Sequence, residues 1–274
     1  MSSQIGMVHL VGAGPGDPEL MTLKALRLLR EADVVVYDRL VSQSILESVP
    51  PHAMRIFVGK ARGHHSAPQD EINEILVRLA RAGRRVVRLK GGDPFIFGRG
   101  SEETEYLTRA GVPFEVVPGI TAASGCAAVA GIPLTHRGLA SGVRFVTGHC
   151  RNNGELDLNW TSLADPDTTL VVYMGLANLA LIARRLIAAG LPADTPAAAI
   201  SCATTKRQRH CAAPLESLPA QVAAAALPAP TVIVIGRVVA LSGLWPARAE
   251  GAHAPDLDAD AGTNASAGSA GHAR

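Results

Sequence analysis

Between residues 7 and 130 the chain alternates short apolar runs with amphipathic segments, and each apolar run stops at a cluster of glycine, proline or charge. Runs at 7–11, 34–37, 55–58, 86–89 and 114–117 have the length and β-branched content of strands. The segments between them, 19–31, 42–48, 68–82, 102–109 and about 121–130, have helical character. The clearest helix is 68–82: Ile72, Ile75, Leu76 and Leu79 form one face, Asp70 and Glu71 occupy the first turn, and Gly83 ends it. Such alternation predicts an α/β fold with a mainly parallel sheet. Strands expected at 143–147, 169–174, 197–202 and 231–236, with helices at 177–189 and about 215–226, give the second half a more antiparallel character. Two α/β domains are expected, 1–138 and 139–245, with the hinge in 133–142.

The last 29 residues, 246–274, are rich in Ala and Gly and carry one large apolar residue, Leu257, so a disordered tail is expected there. The formal charge of +2 divides into +4 on residues 1–245 and −2 on the tail. Only ten residues are aromatic and no block of five Lys or Arg occurs, which argues against nucleic acid as a partner. No apolar stretch approaches the ~20 residues of a membrane span. Residues 1–4 carry no basic n-region. Cys126, Cys150, Cys202 and Cys211 lack C-x-x-C or zinc spacing and are expected as reduced, mostly buried thiols. A cytoplasmic protein that does not engage membranes is the expectation.

In open α/β sheets ligands bind beyond the carboxyl ends of the strands. The residues there are Gly12-Ala13-Gly14-Pro15-Gly16-Asp17, Asp38-Arg39, Gly59-Lys60, Gly91-Gly92-Asp93-Pro94 and Pro118-Gly119-Ile120-Thr121-Ala122. One whole edge therefore reads as a binding site. The first loop is not a dinucleotide fingerprint, because Asp17 stands where G-x-G-x-x-G needs its last glycine, and an acid there opposes a pyrophosphate at the helix N-terminus. Asp17 also suits an N-cap ahead of Pro18. Gly91-Gly92 permits close backbone approach, either to a ligand or within a tight turn. Asp93 would then reach a hydroxyl or an ammonium. Arg99 sits in a glycine-flanked segment, Phe97-Gly98-Arg99-Gly100, suited to closing over an anion. Asp38 is open to reading as a strand-end cap, as a partner of Arg39 or as a proton acceptor.

Five segments together resemble the tetrapyrrole methylase family: Val11–Asp17, Val36–Leu40, Arg88–Gly100 (RLKGGDPFIFGRG), Val117–Thr121 and Pro133-Leu134-Thr135-His136-Arg137. The resemblance is collinear from about residue 7 to 242. The GAGPGD loop marks the wider family, and the arginine-containing stretch with PLTHR points to members that methylate uroporphyrinogen III. It implies two α/β domains with the ligand cleft between them, a homodimer, and transfer of methyl groups from two molecules of S-adenosylmethionine to C2 and C7, giving precorrin-2. The sulfonium donor carries its own activation, so no metal is expected, and S-adenosylhomocysteine is the by-product.

Carried over position by position, the resemblance implies a cofactor site of Pro15, Gly91, Gly92, Asp93, Ile96, Thr121, Ala122, Met174 and Ala203. Asp38 aligns with a proposed proton acceptor and Lys60 with a proposed proton donor. Arg99, Glu102 and Arg137 resemble the polar groups that hold the tetrapyrrole, and Arg forks suit its carboxylates. Ser101 and Ala203 stand where the family commonly has glycine, which implies tuned loop mobility. The dehydrogenase–chelatase module of fused members has no counterpart in this sequence, so oxidation and metal insertion are expected to fall to other proteins. A methyltransferase for a later precorrin, a same-fold enzyme acting on ribosomal RNA, a nicotinamide-binding oxidoreductase and a non-catalytic tetrapyrrole carrier are the alternatives.

Overall fold

Residues 8–12 begin a parallel sheet whose strands, in chain order, are β1 (Val8–Gly12), β2 (Val34–Tyr37), β3 (Met54–Phe57), β4 (Val86–Lys90) and β5 (Phe114–Val117), arranged 3-2-4-1-5. The computed structural model describes residues 5–59, 68–149 and 156–245. The expected tail, Cys150 and Lys60 lie outside these. Registers such as Val8↔Val86, Val8↔Phe114 and Val34↔Met54 bring all five carboxyl ends to one edge. Both faces are covered, so the inner strands β1, β2 and β4 are buried along most of their length, while β3 at the edge is largely exposed. Val11, Val35, Val87 and Leu89 pack with α1 (Leu23–Glu31) and α2 (Gln43–Leu46). Val8, Leu10, Val36 and Val86 pack with α3 (Gln69–Arg81) and α4 (Gly100–Arg109).

The helix expected at 19–31 is broken. Asp17 caps a short 3₁₀ turn, Pro18–Leu20, by accepting from the Glu19 amide at 2.9 Å. The chain then extends at Met21 and Thr22, and the Thr22 hydroxyl accepts from Ala25 N to start α1. Two consecutive cap residues split what the apolar spacing joins.

The second sheet contains β6 (Gly142–Thr147), β7 (Thr168–Tyr173), β8 (Pro196–Ser201), β9 (Arg209–Pro214) and β10 (Thr231–Ile235), in the order 6-7-10-8-9. Only β6 and β7 run parallel; β10 is antiparallel to both neighbours and β8–β9 form a hairpin. One face packs against α7 (Leu179–Ala188) and α8 (Leu218–Ala224), and a short helix α6 (Trp160–Leu163) lies beside it. The other face is covered by α5 (Ala122–Ala130): Ala123, Cys126 and Ala130 pack with Val171, Ala198, Ile200 and Val234. The helix that follows the last strand of the first sheet is therefore part of the second sheet's core.

Among the described residues no helix is long and apolar enough to cross a membrane. Cys126, Cys202 and Cys211 are free thiols, the first two buried. Burial pushes the Cys126 thiol up to about 12. Native protein is accordingly expected to leave Cys126 unmodified by a thiol reagent at neutral pH, whereas denatured protein reacts; peptide mapping of the labelled chain checks this.

Candidate active site at the facing strand ends

Three neighbouring strand ends of the first sheet meet without side chains between them. A Cβ on Gly119 would lie 2.3 Å from the Gly92 carbonyl oxygen, and one on Gly12 would lie 2.5 Å from Gly119 N. Gly14 and Gly92 exchange two backbone hydrogen bonds, of 3.2 and 2.7 Å. The expected close approach is thus first of all backbone to backbone, fixing the loops after β1, β4 and β5 as one surface. Gly92 has φ 68 and nothing within 3.7 Å of its Cβ position, where Ala122 N is nearest. Its outer face is open. Gly91 is closed, since its Cβ would meet Leu40.

Asp93 uses both carboxylate oxygens on backbone: Oδ1 accepts from Phe95 N at 2.8 Å and Oδ2 from Gly119 N at 3.1 Å. It ties two of the loops together, with lone pairs left for a ligand. Ile96, beyond it, packs against the apolar cluster under the second sheet.

The second sheet meets this edge at the ends of β7 and β8. The Tyr173 hydroxyl accepts from Ala123 N at 3.0 Å and lies 2.5 Å from Thr121 Oγ1. Its ring lies 4.9 Å from that of Phe97 and 5.8 Å from that of Phe145. Burial raises its phenol above the ordinary tyrosine value, against the hydrogen bonds from Thr121 and Ala123. Met174, next in sequence, is 51% exposed with φ 53. After β8, Cys202 and Thr204 also have positive φ, and Ala203 between them is buried. Thr204 Oγ1 accepts from Asp17 N at 3.2 Å, and a Cβ on Gly16 would strike Thr205. Pro15 sits against Gly125 of α5, where a Cβ would come within 2.6 Å of it.

Sequence reasoning did not find Tyr173, which joins the two sheets. A tyrosine at the end of an apolar run reads as core, and only the fold brings the first turn of α5 to its hydroxyl. Removing that hydroxyl leaves the Ala123 amide without an acceptor, at a cost of about 1–3 kcal/mol. Tyr173→Phe is expected to lower Tm by several degrees, measured by calorimetry.

Backbone strain concentrates here as well. Of six non-glycine residues at positive φ among those described, five (Phe97, Arg99, Met174, Cys202 and Thr204) lie in these loops. Conformations of this kind each cost of the order of 1 kcal/mol or more and gather at ligand sites. Around the same edge Leu40, Phe95, Phe97, Phe145 and Met174 are exposed. Of these, Phe97 and Phe145 both pack on the Tyr173 ring.

Asp38 follows β2. Its Oδ1 accepts from Leu40 N at 3.0 Å, and its Oδ2 accepts from Arg88 Nη2 at 3.1 Å. The partner is Arg88 of the adjacent strand; Arg39 points elsewhere, into solvent. Arg99 caps α4 in the left-handed conformation and pairs with Glu102 through two bonds, 2.8 and 2.6 Å. That pairing raises the Arg99 pKa and lowers that of Glu102. Arg137 is exposed at the tip of a loop closed by mutual His136–Ala140 backbone bonds, with Gly138 at φ 79. Among the described residues it forms no ion pair. Lys60 has no described position. No group of three or more His, Cys, Asp or Glu among the described residues is placed to hold a metal ion. A separate groove of about 860 Å³ lies at the far end of the second sheet, lined by residues that include Leu170, Pro196, Ile235 and Trp245, and none of the residues above borders it.

The profile for the Tetrapyrrole (Corrin/Porphyrin) Methylases matches residues 7–219. The chain is 57% identical over 238 residues to a uroporphyrinogen-III C-methyltransferase of Paracoccus denitrificans, covering 87% of this chain and 83% of that protein. It is 58% identical over 236 residues to a siroheme synthase of Nitrosospira multiformis, where it spans 50% of the relative's length and 86% of its own. A solved uroporphyrin-III C-methyl transferase of Thermus thermophilus complexed with S-adenyl homocysteine superposes with a TM-score of 0.73 at 43% identity, over 86% of this chain and 94% of that one. A cobalt precorrin-4 methyltransferase superposes with a TM-score of 0.76 at 29% identity, over 85% and 95% of the two chains. Two sheets facing each other through glycine-lined loops, and a profile match that runs from β1 into α8, have one common source: this chain belongs to the tetrapyrrole methylase family.

Proposed function

We propose that this chain transfers methyl groups from S-adenosylmethionine to C2 and C7 of uroporphyrinogen III, giving precorrin-2. The observation that carries this reading is the 57% identity to a relative named for that activity, across 83% of its length. The strand-end surface supports it. Gly92 offers open backbone beside the Ala122 amide, the Thr121 side chain does not cap α5 and only Ala123 N of its first turn is taken, by the Tyr173 hydroxyl, and Met174 stands exposed. Adenosylmethionine, with its carboxylate, ammonium, ribose and adenine, fits such a mixture of backbone and apolar groups. Pro15, Gly91, Gly92, Asp93, Ile96, Thr121, Ala122, Met174 and Ala203 would hold it, in a cleft between the unit 1–138 and the unit 139–245.

The bound sulfonium supplies a methyl group already activated towards displacement. The chain's own task is positioning. Phe97, Phe145 and Leu40 offer the apolar face against which a macrocycle lies, and Arg99 and Arg137 reach its carboxylates, with Glu102 orienting the Arg99 fork. Asp38 accepts the proton that the methylated ring must lose; both its oxygens are oriented and each keeps a lone pair. Lys60 is proposed as the proton donor. We further propose a cytoplasmic homodimer.

Anaerobic incubation with uroporphyrinogen III and adenosylmethionine, followed by mass analysis, tests this: a gain of two methyl groups is expected. Unchanged substrate from protein that binds adenosylhomocysteine would reject it. The cobalt precorrin-4 methyltransferase likeness makes a later precorrin the second reading, and methylation of that substrate alone in parallel reactions would favour it.

A further inference from the structure

β4 carries two cations on the face covered by α3 and α4, inside an otherwise apolar layer. Arg88 is 3% exposed, Lys90 4%, and Glu103, in the first turn of α4, is fully buried. Glu103 Oε1 accepts from Arg88 Nε at 3.1 Å, from Lys90 Nζ at 2.9 Å and from Gln69 Nε2 at 3.2 Å. The Arg88 guanidinium is held on all sides: Nη1 donates to the Leu89 carbonyl at 3.1 Å and the Val36 carbonyl at 3.5 Å, and Nη2 donates to Asp38 Oδ2. At one end of this chain of contacts Gln69 is half-buried, and at the other Asp38, 25% exposed, reaches solvent at the strand-end edge.

We propose that Glu103 is a positioning residue for Asp38, acting through the guanidinium of Arg88. The inference rests on the methyltransferase reading and on Asp38 as its proton acceptor. A guanidinium is a rigid planar fork, so fixing Nε on Glu103 fixes the direction in which Nη2 meets Asp38. Interior ion pairs are seldom a net source of stability compared with apolar packing. What this one supplies is direction. Glu103 also stands between Arg88 and Lys90, and burial together with the Arg88 charge holds the Lys90 ammonium below the ordinary lysine value against the pull of Glu103. Without that carboxylate, Asp38 is the remaining anion in contact with Arg88 and is drawn inward, away from the edge.

Glu103→Gln is expected to lower kcat by about 30- to 100-fold, the scale of an ångström-sized misplacement of a reacting group. The rate is to be counted per adenosylhomocysteine-binding site, so that misfolded protein is not scored. KM for both substrates and adenosylhomocysteine affinity should stay within about threefold. Arg88→Lys keeps the charge but not the fork, so it should show the same split; it carries the test if Glu103→Gln yields no folded protein. Parent kcat per site in either variant, or a loss of affinity matching the loss of rate, would overturn the positioning role. Asp38→Asn, measured alongside, separates the two readings. If it is inactive while Glu103→Gln is at parent rate, only the inference falls. If Asp38→Asn itself turns over normally, Asp38 is not the acceptor and Glu103 has nothing to position.

Discussion

Arg99→Ala is expected to reduce methylation of uroporphyrinogen III by about two to three orders of magnitude, with adenosylhomocysteine affinity within about threefold of the parent. Arg99 and Glu102 are both largely exposed, so their ion pair adds little to stability and its loss should leave the fold intact. The backbone at φ 58 is no harder for alanine than for arginine. What disappears is an exposed guanidinium already held by two bonds to Glu102. An octacarboxylate held there in attack geometry loses rate as well as affinity when the clamp is removed. Arg99→Lys retains charge without the fork and should recover only part of the activity. Steady-state rates with calorimetric adenosylhomocysteine titration decide it, and parent turnover in Arg99→Ala would remove Arg99 from the site.

Gly119→Ala should damage both the fold and the strand-end surface. Its Cβ would lie 2.3 Å from the Gly92 carbonyl oxygen and 2.8 Å from two backbone atoms of Gly12. No side chain is available to rotate away, so the loops after β1, β4 and β5 must part and strain the Gly14–Gly92 bonds. Overpacking of this kind costs about 1–3 kcal/mol or more, a fall in Tm of roughly 4–10 °C for a domain of this size. Because the same loops form the proposed cofactor surface, adenosylhomocysteine affinity should fall at least about tenfold, on the order of the 1.4 kcal/mol that a tenfold change represents. Gly131→Ala is the control. Gly131 has φ 63 but open space around it, so only the left-handed penalty of about 1–2 kcal/mol applies and ligand affinity is unchanged. Equal affinities in the two variants would show that the glycine contact does not shape the site.

The strand-end edge was legible in the sequence because parallel strands have a fixed polarity: every residue just after an apolar run must fall on the same side. For the same reason Gly12, Gly92 and Gly119 were placed in one neighbourhood, although their contact with each other was not. β9 escaped notice because Arg209–Pro214 contains no β-branched or aromatic residue. Its pairing with β8 comes from the hairpin and not from propensity. The Arg88–Glu103–Lys90 cluster escaped for a different reason. Charged residues in a strand read as its solvent face, and only α3 and α4 closing over that face turn them inward. Arg39 was the nearest cation to Asp38 along the chain, but parallel pairing sets Arg88 beside Val36, two residues before Asp38, and the longer-range partner forms the ion pair.

The packing of α5 bears on how the molecule can be dissected. A fragment ending at residue 138 would carry α5 with Ala123, Cys126 and Ala130 stripped of their cover, and a fragment starting at 139 would bare Val171, Ala198, Ile200 and Val234 to water. Both pieces would be prone to self-association, and simple co-expression would have to rebuild an interior and not merely dock two surfaces. A split-protein or domain-exchange experiment in this scaffold therefore needs its junction ahead of Thr121, so that the helix travels with the sheet it protects.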